Sequence, residues 1–230
     1  MSRKRTNLKL YAICLLLLLF AAPASADPDA MLDRSRTQFE DLIEYEIYYI
    51  NARFNEIRND LFLIPDITII ADRTSGSASA QDFINGINLL DDTTDVNVVL
   101  IQTHGGTVPD TSYLIFKDNS GLSSTGVNNW MDERDGGFIF AGACYSAKYT
   151  GLGNAFINNG FDTYFGFKDV VRTLPTSRFC SAFFDAATFT DVTVSEAAIY
   201  ARNQVKKEFG DATDVANYRF IGNSNLCLRT

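Results

Sequence analysis

Two short apolar runs do most to limit what this chain can fold into: Val96-Asn-Val-Val-Leu-Ile101 and Gly137-Phe-Ile-Phe-Ala141. Neither alternates apolar with polar residues. A strand of that kind is buried on both faces, the condition of an interior strand in a parallel sheet covered by helices. Other segments read the same way. Asp66-Ile-Thr-Ile-Ile-Ala71, Ser112 to Phe116 and Thr163 to Phe167 are strand-like, and Tyr218 to Ile221 suits a last edge strand. Helices are expected over Ser79 to Leu90, Ser123 to Asp132, Gly151 to Asn158 and Leu174 to Phe189. Thr193-Val-Ser-Glu196 matches a capping box that opens another, stopped by Gly210. Strands alternating with helices give an α/β class with a mostly parallel central sheet flanked by helices.

Ahead of the first of these strands, Ile43, Ile47, Ile50, Phe54, Ile57 and Leu61 recur at helical spacing. One long amphipathic helix is therefore expected over residues 30–60. It serves either as a face packed on the core or as a prosegment or partner helix. Residues 1–26 have the composition of a secretory signal. Arg3-Lys4-Arg5 precede an apolar run from Tyr11 to Ala22, and Ala24-Ser25-Ala26 is a small-x-small cleavage site. That run is short for a membrane span, so cleavage is expected rather than a stable membrane anchor. The expected division is 1–26 signal peptide, 27–62 amphipathic helix and possible prosegment, and 63–230 main domain. The protein is then exported, either periplasmic or secreted.

Export makes the charge and cysteine counts informative. Without residues 1–26 the chain keeps 16 basic residues against 28 acidic ones, a formal charge of −12. Nucleic-acid binders normally carry a basic footprint, so no nucleic-acid partner is expected. Cys144, Cys180 and Cys227 remain once Cys14 is lost with the signal. An odd number in an oxidising compartment leaves one thiol over, and a Cys180–Cys227 disulfide would leave Cys144.

Chemistry converges on two residues. His104, the one histidine of the sequence, follows the first apolar run, and Cys144 follows the second. Ligands and reacting groups of open α/β sheets gather at the carboxyl ends of strands. A thiol becomes an effective nucleophile near neutral pH when a base or cation is close, and imidazole titrates in that range. Gly105 and Gly106 allow a sharp turn and close approach to a substrate. Backbone N–H groups at Gly105 and Cys144 suit an oxyanion. A single histidine, no CxxC pair, no Walker loop and no GxGxxG after a strand leave no metal or cofactor expected.

Val96 to Gly105, ending in Thr-His-Gly, and Gly137 to Cys144, ending in Ala-Gly-Ala-Cys, together resemble the caspase, gingipain, legumain and clostripain superfamily of cysteine peptidases. Tyr113 to Leu122, Gly151 to Gly160 and Thr193 to Val205 are similar to further pieces of gingipain-like and CHAT-type members, so the likeness spans about residues 66–222. The resemblance implies a caspase-like three-layer sandwich and an endopeptidase acting on peptide or protein substrates. Cys144 would be the nucleophile, His104 its acid–base partner, and the Gly105 and Cys144 N–H groups the oxyanion donors. Gly142 stands where several members carry an acid or Gln that shapes the primary pocket. Arg73 stands where caspases and legumain carry a pocket arginine, and is either that or a surface charge. A silent peptide-binding relative and a thiol transpeptidase on the same scaffold remain as alternatives.

Overall fold

The computed structural model describes residues 27–34, 42–73, 76–91 and 96–229. The signal-like segment 1–26 lies outside the described residues. The strands, in chain order, are β1 (Asp29–Asp33), β2 (Thr68–Arg73), β3 (Val98–Gln102), β4 (His104–Val108), β5 (Thr111–Ile115), β6 (Gly121–Leu122), β7 (Phe138–Gly142), β8 (Thr163–Phe167) and β9 (Tyr218–Gly222). The helices are α1 (Glu44–Leu61), α2 (Ala80–Ile87), α3 (Ser124–Trp130), α4 (Gly151–Asn158), α5 (Thr173–Ala187), α6 (Val194–Phe209) and the short α7 (Thr213–Ala216).

Six strands form the central sheet in the order β2-β1-β3-β7-β8-β9. All neighbours are parallel except β9, which runs antiparallel along β8 at the edge. The strands β4, β5 and β6 make a separate antiparallel sheet.

The two-sided burial of the apolar runs explains the layers. Val98, Leu100, Phe138, Phe140, Phe165 and Phe167 face one side, where they meet Phe54 and Ile57 of α1, Phe179 and Phe183 of α5, and the alanines of α6. Val99, Ile101, Ile139 and Ala141 alternate to the other side and meet Phe83 of α2, Val127 of α3 and Phe156 of α4. The first layer is a stack of aromatic rings. Phe140 lies on Phe165 at 4.4 Å between centroids, and Phe138 on Phe183 at 5.5 Å. Each such side chain is worth about 1.5–3 kcal/mol of burial. The Thr193 capping box forms as its sequence requires: Glu196 N–H donates to Thr193 Oγ1 at 3.2 Å and Thr193 N–H to Glu196 Oε2 at 3.0 Å. Gly210 ends that helix with φ of 76°.

Two expectations are corrected. Residues 30–60 are not one helix. Asp29–Asp33 is an interior strand hydrogen-bonded to both β2 and β3, and the helix starts only at Glu44. Met31 turns to one layer while Ala30 and Leu32 turn to the other, an alternation that three apolar residues were too few to reveal. Residues 27–62 therefore hold a central strand and the Phe54, Ile57 and Leu61 core contacts, and removing them as a prosegment would open the sheet. The Cys180–Cys227 disulfide is absent, since the three cysteines among the described residues are free thiols. Cys180 is fully buried on α5 against the sheet, whereas Cys227 sits in an isolated bridge with Thr193 ahead of α6. The cysteine count carried no information about these positions.

Candidate active site

The placement of His104 and Cys144 follows from one register. β3 and β7 are parallel neighbours with Gln102 opposite Gly142. The two chains leave the sheet side by side, one as Thr103-His104 and the other as Ala143-Cys144. Just past the end of β3, His104 is itself in a strand. It opens β4, paired with Ile115 of β5. The Thr103 hydroxyl donates to the Ile115 carbonyl and so ties the strand exit to the hairpin.

Gly105 shows how tightly the two exits pack. A Cβ placed there would lie 1.8 Å from the Cys144 carbonyl oxygen and 3.2 Å from the Ala143 Cβ. No side chain fits. Gly105 is thus a steric requirement of the Cys144 backbone, and it stands within strand β4 rather than in the sharp turn its glycines suggested.

The turn that carries Cys144 is held from below. Tyr145 has φ of 57°, uncommon for a residue with a side chain. Its N–H donates to the Asp169 carbonyl at 3.1 Å, and the Ala147 N–H to Phe167 O at 2.8 Å. The buried Ser146 hydroxyl donates to Ala141 O at 2.9 Å and accepts from the Phe167 N–H at 3.0 Å. These bonds anchor the strained turn to β7 and β8, so the Cys144 side chain is aimed by the sheet. The half-buried thiol faces the 168–172 loop. The Val171 N–H donates to Sγ at 3.3 Å, and Sγ lies 3.5 Å from the Val171 carbonyl.

His104 and Cys144 line one cleft with Gln102, Thr103, Gly142, Ala143, Ile50, Val171, Thr173, Thr176 and Ser177. Its empty space is about 450 Å³, including open solvent. Gly142 is therefore brought to the site. Cys180 lies directly behind it, its Sγ 3.5 Å from where a Gly142 Cβ would stand. Burial pushes the Cys180 thiol up to about 12, against a hydrogen bond from Gln102, so that sulfur is inert.

Arg73 is not among the residues that line the cleft. It closes β2, two strands away from β3, and its Nη1 donates to Ser77 Oγ at 2.7 Å and to Asp82 O at 2.9 Å. Sequence reasoning missed the cleft walls, Ile50, Val171, Thr173, Thr176 and Ser177. Ile50 stands 54 residues before His104 and the other four stand 27 to 33 residues after Cys144, so their positions gave no local signal. Among the described residues no group of three or more His, Cys, Asp or Glu comes together that could hold a metal ion, and no helix is long and apolar enough to cross a membrane.

No family model matches the chain. A protein of Archaeoglobus fulgidus, described only as uncharacterized, is 46% identical over 186 residues, covering 79% of this chain and 95% of that one. Among solved structures, the Arg-specific cysteine proteinase gingipain R superposes with a TM-score of 0.61 at 13% identity, over 88% of this chain and 48% of its own. The Drosophila initiator caspase Dronc gives 0.50 at 10% identity, over 86% of this chain and 78% of its own. At these identities the likeness is one of fold, and the fold is that of caspases and gingipains. The chain spans about half the length of the gingipain chain it matches.

Proposed function

The chain belongs to the same family as the Archaeoglobus fulgidus protein, and from that premise and the caspase–gingipain fold we propose that it is an exported cysteine endopeptidase working through Cys144 and His104. One observation carries the reading: the β3–β7 register that sets the two side chains at neighbouring strand ends, with Gly105 packed on the Cys144 backbone.

In this reading the Cys144 sulfur, as thiolate, attacks the carbonyl carbon of the scissile peptide. The carbonyl oxygen takes the negative charge and is met by the N–H groups of Gly105 and Cys144, donors of a kind worth a few kcal/mol. His104, as imidazolium, gives its proton to the leaving amine when the C–N bond breaks. The acyl group then stays on Sγ as a thioester. Water attacks that thioester with His104 accepting its proton, and the thiol returns with release of the acid. The strained Tyr145 turn and the Val171 contacts hold Sγ in a fixed direction, which lowers the entropic cost of attack.

Export rests on the composition of residues 1–26, and recovery of the protein from outside the cytosol with Asp27 as its first residue is the expected outcome. The peptidase reading is tested with a peptidyl acyloxymethyl ketone, which alkylates a thiol only after peptide-like binding. Mass mapping is expected to find the label on Cys144 and not on Cys227, with labelling slowed by His104→Ala. A label spread over Cys144 and Cys227 alike, or none, would overturn the assignment.

A further inference from the structure

Resting on the peptidase reading above, we infer that the cleft beside Cys144 selects an uncharged substrate side chain. The lining divides into two chemical halves. Ile50 of α1 and Val171 supply its large apolar side chains. Thr173, Thr176 and Ser177 from the first turns of α5 supply hydroxyls, and Gln102 an amide. Among the described residues the lining holds no Asp, Glu, Lys or Arg.

Three charges near the lining in the chain, and Arg73, are engaged elsewhere. Arg172, immediately before α5, pairs with Asp214. Arg178, one residue after Ser177, meets Glu208 at 2.9 Å. The Asp169 carboxylate accepts from the Asn217 amide, and Arg73 is held by Ser77 and Asp82. A guanidinium, ammonium or carboxylate entering this cleft loses water and, beyond the reacting Cys144 and His104, meets no Asp, Glu, Lys or Arg to offset that loss, a net penalty. A short polar or branched aliphatic side chain meets hydroxyls, an amide and the apolar Ile50 and Val171. The selection is then by rejection of charge as much as by attraction. It would set this chain apart from the Arg-specific gingipain R, with which it shares the fold.

Protection of Cys144 from iodoacetamide reads cleft occupancy without requiring catalysis. Hexapeptide amides ending in Gln, Ala, Val, Arg, Lys or Asp compete with the reagent on the purified protein, and mass spectrometry follows alkylation of the Cys144 peptide. The Gln, Ala and Val peptides are expected to half-protect at concentrations at least about tenfold lower than the charged ones. Equal or better protection by Arg, Lys or Asp, or no protection by any peptide, would overturn the inference. The same peptides extended by two residues report cleavage separately. Protection in the expected order without cleavage would count against the peptidase reading and leave the cleft chemistry standing.

Thr173→Asp supplies the second arm. Thr173 is the first residue of α5, a position where an acidic side chain suits the helix terminus, so the variant is compatible with folding. It should move the preference to Arg and Lys by about tenfold. An unchanged order of peptides would show that Thr173 does not face the bound side chain and would sink the proposal.

Discussion

Two pairs of strands end at the same rim of the sheet, and they finish differently. At the ends of β1 and β2, Asp33 accepts from the Ser77 N–H at 3.1 Å and from its hydroxyl at 2.5 Å, while Arg73 donates to that hydroxyl and to Asp82 O. Asp33 and Ser77 are buried, and the polar groups satisfy one another. At the ends of β3 and β7, the exits of His104 and Cys144 border an open cleft, with the thiol half-exposed. Both pairs are polar and both lie where ligands of α/β sheets collect. Ser77, returning onto Asp33 with its N–H and hydroxyl, makes the first a structural clamp. At the second, the hairpin β4–β5 leaves the thiol reachable. Strand ends alone do not identify a site, since the loop that covers them decides.

The largest break in that contrast comes from Gly105→Ala. Its Cβ collides with the Cys144 carbonyl at 1.8 Å, so the hairpin and the Cys144 turn must part. Peptide cleavage should fall by more than about a hundredfold, the range of a lost oxyanion donor or a misplaced reacting atom. Gly106→Ala is the control. Its Cβ meets only the Ile115 side-chain tip at 3.2 Å, and activity should stay within a few-fold by the same geometric reasoning.

A smaller effect sharpens the other side. Burial pushes the Asp33 carboxyl up to about 6, against its Ser77 hydrogen bonds and Arg73. A folded-state value above the unfolded one means that the native state binds the proton more tightly. The stability this group contributes is then present below about pH 4 and lost as pH rises through 6. Asp60, also raised to about 6 by burial, adds a slope of the same sign. Asp33→Asn should therefore gain on the wild type by about 3 kcal/mol between pH 4 and pH 7. Urea unfolding at a series of pH values checks this, and a constant difference across the range would contradict it.

The smallest expected effect concerns Arg73→Met. Losing its bonds to Ser77 and Asp82 should cost about 1–3 kcal/mol, with the order of preferred cleavage residues unchanged. A changed order would bring Arg73 back as a determinant of selectivity.

These residues also show what the sequence could carry. The interior strands were legible because Val98 to Ile101 and Phe138 to Ala141 are apolar at every position, and the Thr193–Glu196 cap because it is local. The juxtaposition of His104 and Cys144 followed from each standing at the end of such a strand. β1 was hidden because Ala30-Met31-Leu32 is too short to show a period and precedes a genuine helical stripe. Arg73 looked like a pocket residue because its position is right. Only the fold shows Ser77 and Asp82 within its reach. The walls of the cleft come from α1, the 168–172 loop and α5, and no spacing rule links them to His104 or Cys144.

The most direct measurement is cleavage of a mixed peptide library by the wild type, Cys144→Ala and His104→Ala, read by mass spectrometry, with circular dichroism to confirm that all three fold. Cuts made by the wild type, absent with Cys144→Ala and slowed about 10²–10⁴-fold with His104→Ala, are the predicted result. Cuts that persist without the Cys144 thiol, or a wild type that makes none while its Cys144 is readily alkylated, would contradict the account.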